Sequence, residues 1–156
     1  MRLFICAVGR LRSGPERVLI DDYLTRFDRT GRSLGLGPAT VTEVEDRKGG
    51  GPAAESALLD RAVPQNARRI ALDERGRMMT SPEFAALLAQ WRDDGAQDTA
   101  LMIGGADGLD PSLRDGADMA LSLGPMVWPH MLVRAMVAEQ LYRAAAILAG
   151  TPYHRA

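Results

Sequence analysis

An α/β domain built on a parallel sheet is the fold class this sequence predicts, and three observations carry the prediction. Apolar, β-rich runs alternate with helical patterns from end to end, the pattern of strands joined by crossover helices. RRIALD and TALMIGG read as buried strands, as a sheet covered on both faces requires. The chain has 156 residues, 46% hydrophobic and 25% charged, without a repeat, low-complexity tract or long linker. That suits a single domain over residues 1–156 with one sizeable core.

The elements follow in order. RLFICAVG, Arg2 to Gly9, is a β-rich run and predicts the first strand. PERVLIDDYLTRF places Pro15 at a helix start, with Val18, Leu19, Tyr23, Leu24 and Phe27 at helical spacing. ATVTEVE alternates and predicts a strand; DRKGGGP is then a flexible, basic loop. AAESALLDRAV predicts a second helix and RRIALD a third strand. In TSPEFAALLAQWRDDG, Thr80 or Ser81 caps a helix that Pro82 starts and Gly95 ends, with Phe84, Leu87, Leu88 and Trp91 on one face. TALMIGG predicts a fourth strand, PSLRDGADMA a short helix weakened by Gly116, and ALSLG a short fifth strand. VWPHMLVRAMVAEQLYRAAAIL, Val127 to Leu148, is the last and longest helical stretch.

Several function classes lose support. No run approaches the ~20 apolar residues of a membrane span. The N-terminal apolar run is too short, and too soon followed by arginines, for a signal peptide. A cytoplasmic location is expected. Cys6 is the only cysteine, so there is no disulfide framework or Cys-rich metal site, and two histidines cannot build a His-rich zinc site. GxSxG, HExxH, GxGxxG and a phosphate-loop GK[ST] are absent. No metal is expected. The net charge of −1 argues against a generic nucleic-acid coat, although it permits a local basic site.

In parallel sheets ligands bind beyond the carboxyl ends of the strands. Three segments leave strand ends in glycine-containing turns: LDERG at Leu72 to Gly76, IGGADG at Ile103 to Gly108, and LSLGPMVWP at Leu121 to Pro129. All three can rim one crevice. Gly104 and Gly105 suit either a tight turn or close approach to a ligand. Asp73 is either a turn residue or a carboxylate base. The third loop either packs on the core or offers backbone groups and apolar side chains to a heterocycle.

On a wheel of about 100° per residue, the last helix sorts its polar residues onto two edges. His130 and Arg134 share a sector with Val137 and Leu141; Glu139 and Arg143 lie roughly opposite, near Leu132 and Met136. Glu139 and Arg143 are also an i, i+4 pair in the favourable order. One edge then suits a ligand site and the other a subunit contact, unless both are simply exposed or partnered. The tail TPYHRA offers Tyr153, His154 and Arg155, a combination suited to stacking on a base and holding phosphate. A frayed terminus is the plainer alternative.

Taken together, LDERG followed by SPEFA, IGGADG, the run PHMLVRAMVAEQLYRA and terminal PYHR resemble the RlmH family, in the same order and over the full length. That family consists of pseudouridine N3-methyltransferases of large-subunit ribosomal RNA within the SPOUT superfamily. The resemblance implies a parallel-sheet, Rossmann-like SPOUT fold with a C-terminal trefoil knot, a homodimer, and S-adenosyl-L-methionine as methyl donor. The implied reaction is methylation of N3 of pseudouridine 1915 in 23S rRNA, on the assembled ribosome. The near-neutral charge points the same way, since free RNA would find little to hold it.

Carried onto this chain, the cofactor positions are Leu72, Gly104, Gly105, Leu123, Gly124, Pro125, Met126, Val127, Trp128 and Pro129. From the chemistry of their side chains, the expected catalytic group is His130, Arg134, His154 and Arg155, with Arg134, Tyr153, His154 and Arg155 expected to touch the RNA. His130 and His154 are candidate proton acceptors or hydrogen-bond partners. Arg134 or Arg155 is expected to hold the RNA or the anionic base. The tail of one subunit is expected to complete the site of the other. Relatives often read Ser-Leu-Ser-x-x-Thr before the Pro-His; here SLGPMV puts Gly124 and Val127 in the polar places. Main-chain contacts are then expected to hold the cofactor, except at Pro125, which has no N–H. A non-catalytic RNA- or nucleotide-binding module and a Rossmann-like enzyme for another small substrate remain the alternatives.

Overall fold

The computed structural model describes residues 1–155. Its centre is a five-stranded sheet of β1 (Arg2–Val8), β2 (Ala39–Val44), β3 (Arg68–Met78), β4 (Asp98–Ile103) and β5 (Met119–Ser122). The spatial order is β2-β1-β4-β3-β5, and every neighbouring pair is parallel. Four helices make the crossovers, α1 (Pro15–Gly31), α2 (Gly51–Ala62), α3 (Ser81–Asp93) and α4 (Pro111–Asp115), and α5 (His130–Ala149) follows the last strand. The expected α/β class and both-face covering are what the chain adopts.

Strand alternation divides the core into two layers. Leu3, Ile5, Ala7, Ile70 and Leu101 face α1, α3 and α5, where they meet Ile20, Leu24, Phe27, Phe84, Leu88 and Leu141. Cys6, Val8, Ala71, Ala100 and Met102 face α2 and α4, against Leu59, Val63 and Leu113. Burial pushes the Cys6 thiol up to about 11, which leaves it a small apolar filler. No helix among the described residues is long and apolar enough to cross a membrane.

The structure corrects several sequence-drawn boundaries. LDERG is not simply a turn: β3 continues to Met78, with its register on β5 shifting between Leu72 and Arg77. Gly76 permits this, because a Cβ there would sit 2.6 Å from the backbone of Ala120. The helix expected over PSLRDGADMA ends at Asp115, and Met119 and Ala120 belong to β5. The last helix starts at His130 rather than Val127, since Pro129 has extended backbone and caps it. On α1, Ile20, Leu24 and Phe27 are buried, whereas Val18 and Leu19 are 68% and 42% exposed.

Helix α3 has the fullest start signal in the chain. Thr80 Oγ1 accepts from the Glu83 N–H at 3.3 Å, and Glu83 accepts from the Thr80 N–H at 2.7 Å. This reciprocal capping box satisfies two backbone donors that the first turn leaves unpaired. Replacing Thr80 by alanine is expected to cost about 1 kcal/mol of stability, read as a lower urea midpoint with an unchanged slope.

Candidate functional site

Because all five strands run the same way, the chain leaves each of them on one edge of the sheet. There the irregular stretch of β3, where its register on β5 shifts, and the ends of β4 and β5 open onto a single crevice of about 290 Å³. Leu72 and Asp73 form one side, and the turn from Gly104 to Gly108 another. Leu123, Gly124, Met126, Val127 and Trp128 line the third, and His130 and Val133 of α5 close the back. The three turns picked out by sequence therefore meet. Pro125 and Pro129 do not line the crevice; Pro129 sits behind it as the α5 cap.

The two glycines after β4 have different reasons. A Cβ at Gly104 would lie 2.5 Å from the Gly108 carbonyl carbon, so this glycine closes the turn itself. At Gly105 a Cβ would meet the Glu55 carboxylate at 3.1 Å and Val8 at 3.3 Å, neighbours that can give slightly. The segment is thus both a tight turn, closed by Gly108 N–H to Gly105 O at 3.0 Å, and a wall of the crevice. Glu55, beside it, has its pKa raised by burial and then by Asp107 and Asp46.

Ser122, which sequence reasoning passed over, shapes the third loop. Its Oγ accepts the Gly124 N–H at 3.1 Å and lies 3.0 Å from the carbonyls of Glu74 and Gly124. Gly124 itself has φ +112°, a conformation L side chains resist. Its N–H and C=O are thereby turned onto Ser122, which reduces the main-chain groups this residue offers a ligand. Beyond it Met126, Val127 and Trp128 are 69%, 81% and 39% exposed. These three large apolar side chains form an exposed patch at the crevice mouth.

Asp73 resolves toward the turn reading. Burial raises its pKa, but hydrogen bonds from the Arg75 N–H and side chain and the charges of Arg75 and Arg114 outweigh this and hold it below the usual carboxylate value. His130 is different. Its Nδ1 is buried without a hydrogen-bond partner. Burial, and then the Arg134 charge, lower its pKa below the ordinary imidazole value. It faces the crevice as a neutral ring.

Arg134 does not reach the crevice or the surface. It is 0% exposed. Its Nη2 donates to the carbonyls of Val8 at 2.5 Å and Gly9 at 2.9 Å, and its Nη1 pairs with Glu43 at 2.9 Å. The expectation that it contacts RNA directly is therefore corrected: its guanidinium is spent inside the fold.

The tail is ordered rather than frayed. Tyr153 donates its hydroxyl to Glu139 at 2.9 Å and packs against Tyr142, with ring centroids 4.6 Å apart. Glu139 also holds Arg143, at 2.6 Å, and Arg143 lies 4.8 Å over the Tyr153 ring. Arg143 Nη1 is 3.2 Å from His154 Nδ1. A guanidinium only donates, so Nδ1 accepts and the ring proton sits on Nε2. His154 thus presents a donor, not the proton acceptor that was one sequence expectation. Arg155 is exposed. His130 and Arg143 are thirteen residues apart on one helix, roughly 20 Å at 1.5 Å per residue. One chain's tail and its own crevice are separate.

Comparison with known proteins adds the following. The family model described as "Predicted SPOUT methyltransferase" matches residues 1–154. The Ribosomal RNA large subunit methyltransferase H of Dinoroseobacter shibae is 70% identical over 155 residues, covering 99% of each chain. Proteins of the same name from Ruegeria pomeroyi and Paracoccus denitrificans are 68% and 66% identical, again over 99% of both chains. Among solved structures, a probable methyltransferase from Bordetella pertussis Tohama I superposes with a TM-score of 0.54 at 18% identity, covering 92% of this chain and 96% of that one. A probable methylase family protein from Haemophilus influenzae Rd KW20 gives 0.54 at 14% identity, covering 99% and 70%. The two structures speak to the fold alone.

The two histidines are distinguishable by NMR, and His130 is expected to titrate below the ordinary imidazole value of 6.5. As pH falls, the unfolded chain then takes up this proton before the folded one. His130's contribution to stability is complete above about 6.5 and is lost as pH falls toward the folded value. Urea midpoints of His130→Gln should fall less steeply over that window than those of the parent; equal slopes would contradict the assignment.

Proposed function

The chain belongs to the SPOUT methyltransferase family, and from that membership we propose that it methylates N3 of a pseudouridine in large-subunit ribosomal RNA, using S-adenosylmethionine. The observation that supports this most is the convergence of the irregular stretch of β3 with the turns after β4 and β5 on one crevice whose mouth is apolar and whose back is a neutral histidine. The residues suit the donor. Leu72, Met126, Val127 and Trp128 can sandwich a heterocycle, and the backbone around Gly105 can meet its polar edges. At about 290 Å³ the crevice sits near the low end of small-molecule sites, roughly 300–1,000 Å³, and is open to solvent. The C-terminal trefoil knot implied by the resemblance is part of the same proposal, and membership of the family supports it.

When bound, the donor supplies a methyl group on a sulfonium. Held by the crevice, it would offer that methyl to N3, and the chain's own residues would have to place the base and accept the N3 proton. Positioning supplies much of the acceleration in such a transfer. His130, neutral and facing the crevice, is the proposed proton acceptor. The Nε2–H of His154 suits the base oxygens on which negative charge develops as N3 loses its proton. Arg155 is proposed to hold phosphate and Tyr153 to stack on a base.

Since the tail lies roughly 20 Å from its own crevice, His154 and Arg155 serve catalysis only if a second copy brings them. The chain is therefore proposed to act as a homodimer. A groove of about 570 Å³ beside α1 and α5, carrying Leu19, Met78, Leu132 and Met136, supports this pairing. A ribosomal substrate places the activity in the cytoplasm.

Calorimetry should show S-adenosylmethionine binding, and Trp128→Ala should weaken it at least about tenfold, equivalent to 1.4 kcal/mol. Large subunits from cells lacking the gene should gain one methyl on a pseudouridine, seen by mass spectrometry; a chain that binds the donor without transferring the methyl leaves a binding module instead. A Trp128→Ala chain and a His154→Ala/Arg155→Ala chain should each be nearly inactive. Mixed, they should recover about a quarter of wild-type activity, because half the dimers carry one intact composite site of two. No recovery would sink the shared site.

A further inference from the structure

The segment between β1 and α1 is held more tightly than a surface turn requires. Gly9 donates its N–H to Val44 O at 2.7 Å. The carbonyls of Val8 and Gly9 both accept from Arg134, and the Leu11 N–H donates to Glu43 at 2.6 Å. Arg17 Nη1 donates to Leu11 O at 3.0 Å. Glu43 is the acceptor shared by Leu11 and Arg134, so one partly buried ion pair organises most of the turn. Gly9 has φ +92°, and a Cβ there would lie 3.6 Å from Arg134 and 3.7 Å from His130. The turn thus adjoins the crevice through His130.

What this rigid turn displays is positive charge. Arg10 and Arg12 are exposed on it. The end of β2 lies alongside, with Val8 opposite Val44, and it leads into Arg47 and Lys48, also exposed. Arg10 and Arg47 share a single carboxylate, Glu45, at 3.3 and 3.8 Å. Neither Arg12 nor Lys48 has a carboxylate within ion-pair distance among the described residues. Four cations face Glu45 and Asp46 on this rim of a chain whose net charge is −1, so the rest of the molecule is net negative. The segregation is local and sits on the sheet edge that carries the crevice.

We infer that the Gly9–Ser13 turn, with Arg47 and Lys48 beside it, is the surface that grips the phosphate backbone of the RNA, and that Arg134 is a positioning residue for it. This rests on the ribosomal RNA reading above. Arginine forks match phosphate oxygens in pairs, and they do so at a smaller entropic cost when the backbone carrying them is already fixed. Arg134 supplies that fixity from inside, which accounts for a charged side chain at 0% exposure. The loop over residues 46–50, which carries Arg47 and Lys48 and ends where α2 starts at Gly51, then acts as the outer half of the same grip.

The test is equilibrium binding of the full chain to isolated large ribosomal subunits over a series of salt concentrations. Arg10→Ala/Arg12→Ala should bind about tenfold more weakly, and its salt slope should fall by about one for each phosphate it no longer neutralises. Its affinity for S-adenosylmethionine and its thermal midpoint should match the parent. Arg29→Ala/Arg32→Ala removes the same charge near Gly35, whose carbonyl receives the Met1 amine at the opposite sheet edge, and should bind like the parent. Arg134→Lys keeps the charge but loses the fork; it should lower the salt slope, and added to the Arg10/Arg12 pair it should weaken binding no further. A merely structural Arg134 would lower the melting temperature and leave the slope alone, which would overturn its positioning role. Parent-like binding and slope in the Arg10/Arg12 variant, with the parent still methylating the subunit, would overturn the inference by itself. A parent that neither binds nor methylates the subunit would remove the ribosomal reading along with it.

Discussion

Parallel pairing is the constraint on which the rest of this molecule depends. Each strand must be followed by a return across one face of the sheet. All five therefore finish on the same edge. That single fact brings Leu72, Gly104 and Leu123 to one place although the chain separates the first from the last by 51 positions. It also sets the end of β1, with its arginines, beside the end of β2. The crevice and the basic rim are consequences of strand direction before they are consequences of any side chain.

The most costly element in that arrangement is Arg134. A cation withdrawn from water carries a penalty of several kcal/mol unless geometry and hydrogen bonds offset it. Here a carboxylate and two carbonyls do so, although Nε is left without a partner. Such an arrangement is a poor way to gain stability and a good way to hold one geometry. It links the first strand, the second strand and the last helix at a point next to His130.

Much of this was legible in sequence because the signals are local. Apolar runs marked the strands, and Pro15, Pro82 and Gly95 marked helix ends that need no tertiary information. The glycine turns were legible as crevice walls because strand ends in a parallel sheet leave few other places to go. What stayed hidden depended on distant partners. Arg134 finds Glu43 and Gly9 at separations of 91 and 125 residues, so no helical wheel could tell its buried role from a ligand-facing one. Gly76 is explained by the backbone of Ala120. The tail could be read as frayed because its anchors, Glu139 and Arg143, were already paired with each other in the sequence pattern. Ser122 carried no signal at all, since a lone serine at a strand end has many ordinary uses.

Helix α5 joins two chemically distinct stations: His130 at its first turn and the Glu139–Arg143–Tyr153 cluster toward its end. Their angular relation is set only by the number of residues between them. Inserting or deleting one residue there would rotate one station by about 100° against the other. Either the histidine would leave the crevice or the tail would lose its carboxylate anchor. Substitutions along this helix can be absorbed by repacking, but a change in its length cannot. The helix therefore acts as a fixed spacer, whose length keeps two addresses in phase.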